Sequence, residues 1–336
     1  MLYAKGGTLG YLLTLSNILM KSSSTLLIEV VLFSIATMLL YVGCEKETSK
    51  RYYKTQNVII LVVDGARYTE TWGEPTRHYI PHRSALLQQG VLCSNFYNNA
   101  FTTTCPGHQA LCTGVYENIN NSGQQYPTNP SIFQYWMKAF NRPGSEAWVI
   151  ATKDKLEVLS DCVNPNWKGT YRPSTDCGVQ GLFTGYREDS ITFKRMKFII
   201  SNHPVRLAIV NFKQPDAAGH LADYGAYLQG IVDTDTYIYQ FWNLLQSNPY
   251  YKDKTTLIVT NDHGRHTEGH LDGFVSHGDL CDGCKHVEFF ALGPDFKQNY
   301  VCTTPYEQID VASTVGELMG FAVPTANGKV MRTIFK

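Results

Sequence analysis

The stretch NVIILVVDG, Asn57 to Gly65, decides the fold. An unbroken aliphatic run, rich in β-branched residues, ends in an acid and a glycine. It lacks the polar-apolar alternation of a strand with one wet face. This is the pattern of a strand buried on both sides of a parallel sheet, with its carboxyl end at a functional edge. Three further segments repeat the form: AWVIATKDK (147–155), RLAIVNFKQPD (206–216) and TTLIVTNDHG (255–264). Each apolar run stops at charged or metal-liking residues.

Helical patterns separate these runs. HRSALLQQG stops at Gly90, and PGHQALCTG opens on Pro106 and closes at Gly114. SIFQYWMKAF and YLQGIVDTDTYIYQFWNLLQS carry apolar residues at helical spacing. Alternating strands and helices predict an α/β fold, a three-layer sandwich around a mostly parallel central sheet. Ligands of such sheets gather at the carboxyl ends of the strands. Residues 156–187, rich in Gly, Pro, Asn and Cys, read as a small inserted loop or cap. No repeat or low-complexity segment is present.

The 336 residues carry 29 Lys plus Arg against 29 Asp plus Glu, so no basic excess points to nucleic acid. From Thr25 to Gly43 the chain is apolar except for Glu29, and Cys44 precedes the charged EKETSK. Residues 1–44 therefore read as a signal peptide or a lipoprotein signal, with YVGC similar to a bacterial lipobox, or as an uncleaved anchor. Either reading exports the chain to the periplasm or cell surface, with membrane attachment through a lipid on Cys44 or the anchor itself. Residues 45–56 form a linker, and 57–336 the main domain. Nine cysteines fit an exported protein. Cys162 with Cys177, and Cys281 with Cys284, are the pairings expected; CDGC alone is weak support for zinc.

Polar clusters fall on the predicted edge: Asp64; Asp216 and His220 in PDAAGH; Asp262 and His263 in NDHG; and His277 in SHGD. Aspartate and histidine suit zinc, with manganese or iron as alternatives at carboxylate-rich sites. The four-residue spacing in PDAAGH brings acid and imidazole onto one helical turn. Two metal sites could be assembled from these clusters.

With VVDGAR, TTTCPGHQALCTGVY, TKDK, PDAAGH, NDHGRH and SHGD in this order, the chain resembles the alkaline phosphatase superfamily. It is similar to the nucleotide pyrophosphatase/phosphodiesterase branch and to phosphonoacetate hydrolase. FFALGPDF and IDVASTVGELMG extend the likeness towards the C-terminus. The resemblance implies an alkaline-phosphatase-like fold and two divalent ions. One would be held by Asp216, His220 and His277, the other by Asp64, Asp262, His263 and the nucleophile's oxygen.

The family pattern places the nucleophile at Thr104. The expected helix start at Pro106 agrees, because backbone N–H groups and the helix dipole favour an anion there. Cys105 is the competitor, as thiolates are good nucleophiles when their pKa is lowered. The sulfatase branch requires Cys-x-Pro-x-Arg for formylglycine, and here Cys105 abuts Pro106 with no Arg following. His108 reads as a supporting or packing residue. Lys153 and Lys155 alternate, so an extended segment would aim both into the site to bind phosphoryl oxygens. Asn121, with Asn120 close behind, is the expected amide donor to a phosphoryl oxygen. Arg265 and His266 would meet substrate or orient Asp262 and His263.

These features describe an exported two-metal hydrolase of small phosphorylated substrates, working through a phosphothreonine. The lysine pair favours phosphate monoesters. A phosphodiesterase or nucleotide pyrophosphatase is the first alternative and a phosphonate hydrolase the second. From other classes come an inactive metal-retaining surface-binding protein and a membrane-anchored headgroup transferase. No protein partner is implied.

Overall fold

The structure is a computed structural model describing residues 52–336. The apolar segment, Cys44 and the linker up to residue 51 lie outside the described residues. The strands are β1 (Asn57–Val63), β2 (Gly90–Cys93), β3 (Phe96–Tyr97), β4 (Ala147–Ala151), β5 (Ser174–Cys177), β6 (Leu207–Phe212), β7 (Thr255–Thr260), β8 (Phe289–Leu292), β9 (Tyr300–Cys302) and β10 (Tyr306–Glu307). The helices are α1 (Pro81–Leu86), α2 (Thr104–Thr113), α3 (Ile132–Phe140), α4 (Asp189–Asn202), α5 (Asp216–His220), α6 (Tyr224–Ser247), α7 (Asp282–Lys285) and α8 (Asp310–Met319).

Eight strands form one sheet in the order β5-β4-β6-β1-β7-β8-β2-β9. β8 alone runs against its neighbours; the other pairings are parallel. β3 and β10 make a separate parallel pair. The four apolar runs read from the sequence are β1, β4, β6 and β7, adjacent in the sheet.

β1 shows why both faces had to be apolar. Val58, Ile60 and Val62 enter one core with α2, α3 and α8. Ile59, Leu61 and Val63 enter the other with α4 and α6. All six are fully buried, each contributing roughly 1.5–3 kcal/mol of hydrophobic stabilisation. The sheet is therefore the middle of three layers, as the sequence predicts.

The segment 156–187 is only partly separate from the sheet, because Ser174–Cys177 forms its edge strand β5. STDC has no apolar run, and pairing by backbone alone leaves no signal in the sequence. The expected disulfides are absent, and all eight cysteines of the described residues are free. The Cys177 thiol points at the Val149 carbonyl inside the core. Cys281 accepts from the Cys284 backbone N–H at 3.4 Å across the start of α7.

A buried ion network ties the second core together. The Arg83 guanidinium in α1 bonds Asp235 of α6 at 2.9 Å and also pairs with Glu288 beside β8. Trp72 donates to Glu288 at 2.5 Å, and Asp235 accepts from the His82 N–H at 2.8 Å. Arg83→Met would leave two buried carboxylates uncompensated. The expected loss is about 3–5 kcal/mol of stability by urea denaturation, and a change below about 1 kcal/mol would show that the network is dispensable.

Candidate active site

The carboxyl ends of the central strands deliver the polar residues to one place. Asp64 follows β1, Lys153 follows β4, Asp216 opens α5 just beyond β6, and Asp262 and His263 follow β7. The Lys153 ammonium lies between two carboxylates, 2.9 Å from Asp64 Oδ1 and 2.7 Å from Asp216 Oδ2. It is also 3.2 Å from Thr104 Oγ1. All these side chains are buried.

Two ligand groups stand around this ammonium. In the first, His220 Nε2 is 3.4 Å from Asp216 Oδ1 and 3.1 Å from His277 Nε2, which is itself 3.3 Å from Asp216 Oδ1. In the second, His263 Nε2 is 3.6 Å from Asp64 Oδ1 and 3.4 Å from Asp262 Oδ2. His263 also groups with Asp216 and His277, and His108 with Asp64 and Asp262. Hydrogen bonding separates these roles. A ring nitrogen facing a carbonyl must carry the proton. His263 Nδ1 donates to the Gly264 carbonyl and His277 Nδ1 to that of Thr102, each at 2.8 Å, so each Nε2 carries a lone pair, that of His263 without a partner and that of His277 turned to His220 Nε2. His108 has both nitrogens engaged, Nδ1 with Thr104 O and Nε2 with Asn211 Nδ2. It thereby joins the start of α2 to Asn211, the partner of Asp64. His220 is half-exposed, and its Nδ1 faces Arg265.

The residues fit divalent ions. Asp262 Oδ2 and His263 Nε2 are buried without hydrogen-bond partners, a costly arrangement that an ion would relieve. Burial, reinforced by Asp262, pushes Asp64 up to about 7 despite Lys153. Burial would also raise Asp262 and Asp216, but their neighbours, His263 and His108 beside Asp262 and Lys153 and His277 beside Asp216, hold both below the usual carboxylate range. Burial lowers His263 to about 3 against the pull of Asp262, keeping the imidazole in its neutral, ligating form.

Thr104 is the first residue of α2, with Thr103 at the N-cap in an extended conformation. The next backbone N–H, of Cys105, donates to Asn121 Oδ1 at 2.8 Å, and Lys155 Nζ reaches the same oxygen at 3.1 Å. Asn120 instead closes its own turn through Ser122. Both lysines thus face the Thr104 end of the helix. The Cys105 thiol is fully buried, and burial pushes it up to about 11, against Lys155 and Lys153, which disfavours a thiolate. Arg265 does not orient Asp262 or His263. Its guanidinium pairs with Asp216 and donates to the Phe274 and Val275 carbonyls.

Several supporting residues escaped the sequence reading. Asn211, inside β6, donates to Asp64 Oδ2 at 2.9 Å; the one polar residue within that apolar run was its only signal. Gln308 donates to the Asn261 and Asp262 carbonyls at 2.7 Å each, and Asn98 to the latter at 2.9 Å. Gly107 lets α2 approach this loop: an added Cβ would stand 2.4 Å from the Asp262 carbonyl oxygen.

A family model described as Sulfatase matches residues 56–321. The chain belongs to the sulfatase family. The match agrees with the superfamily that its motifs resemble. A Bos taurus protein described as bis(5'-adenosyl)-triphosphatase ENPP4 is 22% identical over 273 residues, covering 75% of this chain and 55% of the relative. The chain thus spans about half the length of that curated relative. Among solved structures, phosphonate monoester hydrolase from Silicibacter pomeroyi has a TM-score of 0.63 at 17% identity, covering 83% of this chain and 76% of that one. Murine ENPP5, in an inactive form in complex with AMP, has a TM-score of 0.58 at 16% identity, covering 84% and 100%. These likenesses support the three-layer fold.

Asn211→Leu removes the partner of Asp64 Oδ2 and of His108 without shortening the side chain much. Zinc affinity, measured by chelator competition, is expected to fall by about 10–100-fold while far-UV circular dichroism stays unchanged. Undiminished affinity would deny Asn211 a part in shaping the ligands.

Proposed function

We propose that this chain is an exported, metal-dependent hydrolase of phosphate esters that works through a phosphothreonine at Thr104. One observation carries the reading. Thr104 Oγ1 stands at a helix N-terminus, 3.2 Å from the Lys153 ammonium that bridges Asp64 and Asp216. Export rests on the apolar segment 25–43 ahead of Cys44, which also suggests lipid attachment there.

Two divalent ions, zinc on ligand chemistry, would be held by Asp216, His220 and His277 and by Asp64, Asp262, His263 and Thr104 Oγ1. When bound they would supply Lewis acidity that lowers the pKa of the hydroxyl and offsets charge on the phosphoryl group. The chain's own residues do the rest. Oγ1 forms a bond to phosphorus as the bond to the leaving alcohol breaks, and water then cleaves the phosphothreonine, restoring the hydroxyl and releasing phosphate. A phosphoryl oxygen entering at the helix end would replace Asn121 Oδ1 as acceptor from the Cys105 N–H and Lys155 Nζ, leaving the Asn121 amide as a further donor. These donors are arranged before the reaction, so little reorganisation accompanies charge development. Formylglycine chemistry does not suit this chain, because Cys105 is followed directly by Pro106 and no arginine stands nearby in sequence.

Two ammonium groups at the nucleophile favour the dianion of a monoester. A nucleotide diester or pyrophosphate is the second reading, favoured by Tyr186. Its half-exposed ring has its centroid 6.0 Å from Lys153 Nζ and offers an aromatic face beside the site. The names of the ENPP relatives are consistent with it.

With para-nitrophenyl phosphate and a para-nitrophenyl nucleoside monophosphate ester as substrates, Thr104→Ala is expected to lower kcat/KM by on the order of 10⁴-fold or more. Cys105→Ser should change it less than about tenfold, since its backbone N–H and not its thiol faces the site. Acid quench and mass spectrometry should find phosphate on Thr104. A fully active Thr104→Ala protein would sink the reading. Preference for the nucleoside ester, lost in Tyr186→Ala, would select the second reading over the first.

A further inference from the structure

Four ligand-type side chains outside the site just described converge within one loop. His266, Asp279, Cys281 and Cys284 each offer an atom within 4.8 Å of the other three. Two thiols, an imidazole and a carboxylate in this number match a closed four-coordinate site for a zinc-class ion. The loop runs from β7 to β8, and its C-x-x-C step sits at the start of α7.

Further observations point to an ion. His266 is 2% exposed, and its Nε2 is buried with no hydrogen-bond partner, facing Asp279 Oδ2 at 3.4 Å. On the other side of the ring, Nδ1 lies 3.1 Å from Asp272 Oδ1 and 3.2 Å from Ser276 Oγ. A carboxylate at Nδ1 holds the proton there and turns the Nε2 lone pair inward, the outer support that ligating histidines characteristically receive. Backbone N–H groups hold the Cys281 sulfur and the Asp279 carboxylate in place. The Cys284 N–H donates to Cys281 Sγ, and the Cys281 N–H bonds Asp279 Oδ1 at 2.9 Å. The Gly264 N–H donates to the Cys284 carbonyl at 2.7 Å, fastening the two ends of the loop. Gly283 permits that closure, since an added Cβ would meet the Arg265 carbonyl oxygen at 2.4 Å.

We infer that His266, Asp279, Cys281 and Cys284 form a structural site for a zinc-class divalent ion, separate from the residues around Thr104. His270, now 2.6 Å from Asp279 Oδ2, would remain as a hydrogen-bond partner of that carboxylate. The ion acts as a positioning device. His266 lies three residues after His263, and Asp279 two after His277, so a single clasp fixes the loop presenting both imidazoles.

Cobalt tests this on the reduced, metal-stripped full chain. Only thiolate ligation produces intense sulfur-to-cobalt charge transfer in the near ultraviolet, and the residues around Thr104 offer no such ligand set. The expected result is a charge-transfer band whose final intensity corresponds to one thiolate-bound cobalt per chain, which disappears on adding excess zinc and is absent from C281S/C284S. His266→Asn should weaken cobalt binding by at least about tenfold. Should the double variant fail to fold, thiol alkylation mapped by mass spectrometry on the wild type replaces it, with zinc protecting Cys281 and Cys284. No band in the folded, reduced wild type, a band that persists in C281S/C284S, or protection confined to other cysteines would overturn the assignment. So would a Cys281–Cys284 disulfide that forms despite zinc in excess over all three sites. These readouts do not require catalysis, so an inactive enzyme would count against the hydrolase reading and leave this one standing.

Discussion

Three carboxylates, Asp64, Asp216 and Asp262, are buried together at the end of the sheet, and much of the surrounding structure compensates for that. Like charges removed from water repel strongly and lose solvation. Lys153 stands between two of them and Arg265 against one. Asn211 covers an oxygen of Asp64, while Gln308 and Asn98 hold the backbone beside Asp262. The Asp262 and His263 atoms still lacking partners lie 3.4 Å apart. A folding polypeptide keeps such a concentration of charge only where it serves a use, and cation binding is the use its donor set suits.

The sequence exposed the central strands and their terminal acids because a strand buried on both faces leaves an unmistakable apolar run, and its end is marked by the first charge. Residues 174–177 left no such mark, since an edge strand joins through its backbone. Motifs separated His263 as a ligand from His108 as a supporting residue, but the hydrogen bonds behind that difference were hidden. Both are buried histidines in suggestive motifs, and only the carbonyls and amides around each ring show which nitrogen is free. Arg265 sits beside the NDHG motif in sequence yet serves Asp216, because the chain turns after His263. The cysteines misled for a related reason: spacing suggests proximity and cannot tell a thiol facing a carbonyl from one facing another thiol.

Membership of the sulfatase family sits beside a local sequence that departs from formylglycine chemistry. A helix N-terminus stands at this place in the chain, where backbone N–H groups and the dipole favour an anion. In this chain Thr104 opens that helix, and the neighbouring Cys105 is turned into the core with the leucine and cysteine of the next turns. Of these two adjacent side chains it is thus Thr104, 3.2 Å from Lys153, that faces the sheet end, and Cys105 that is spent on packing.

The double-sided burial of β1 has a consequence for folding. Because alternate residues enter two cores of similar apolar character, sliding β1 by one position against β6 and β7 would exchange those faces at little hydrophobic cost. A strand with one wet face would resist that slip strongly. Here the penalty is concentrated at Asp64, which the slip would turn to the opposite face of the sheet. Slipped chains would be compact and well buried yet unable to gather the three acids. Gathering the three acids would thus also weigh against a slipped sheet.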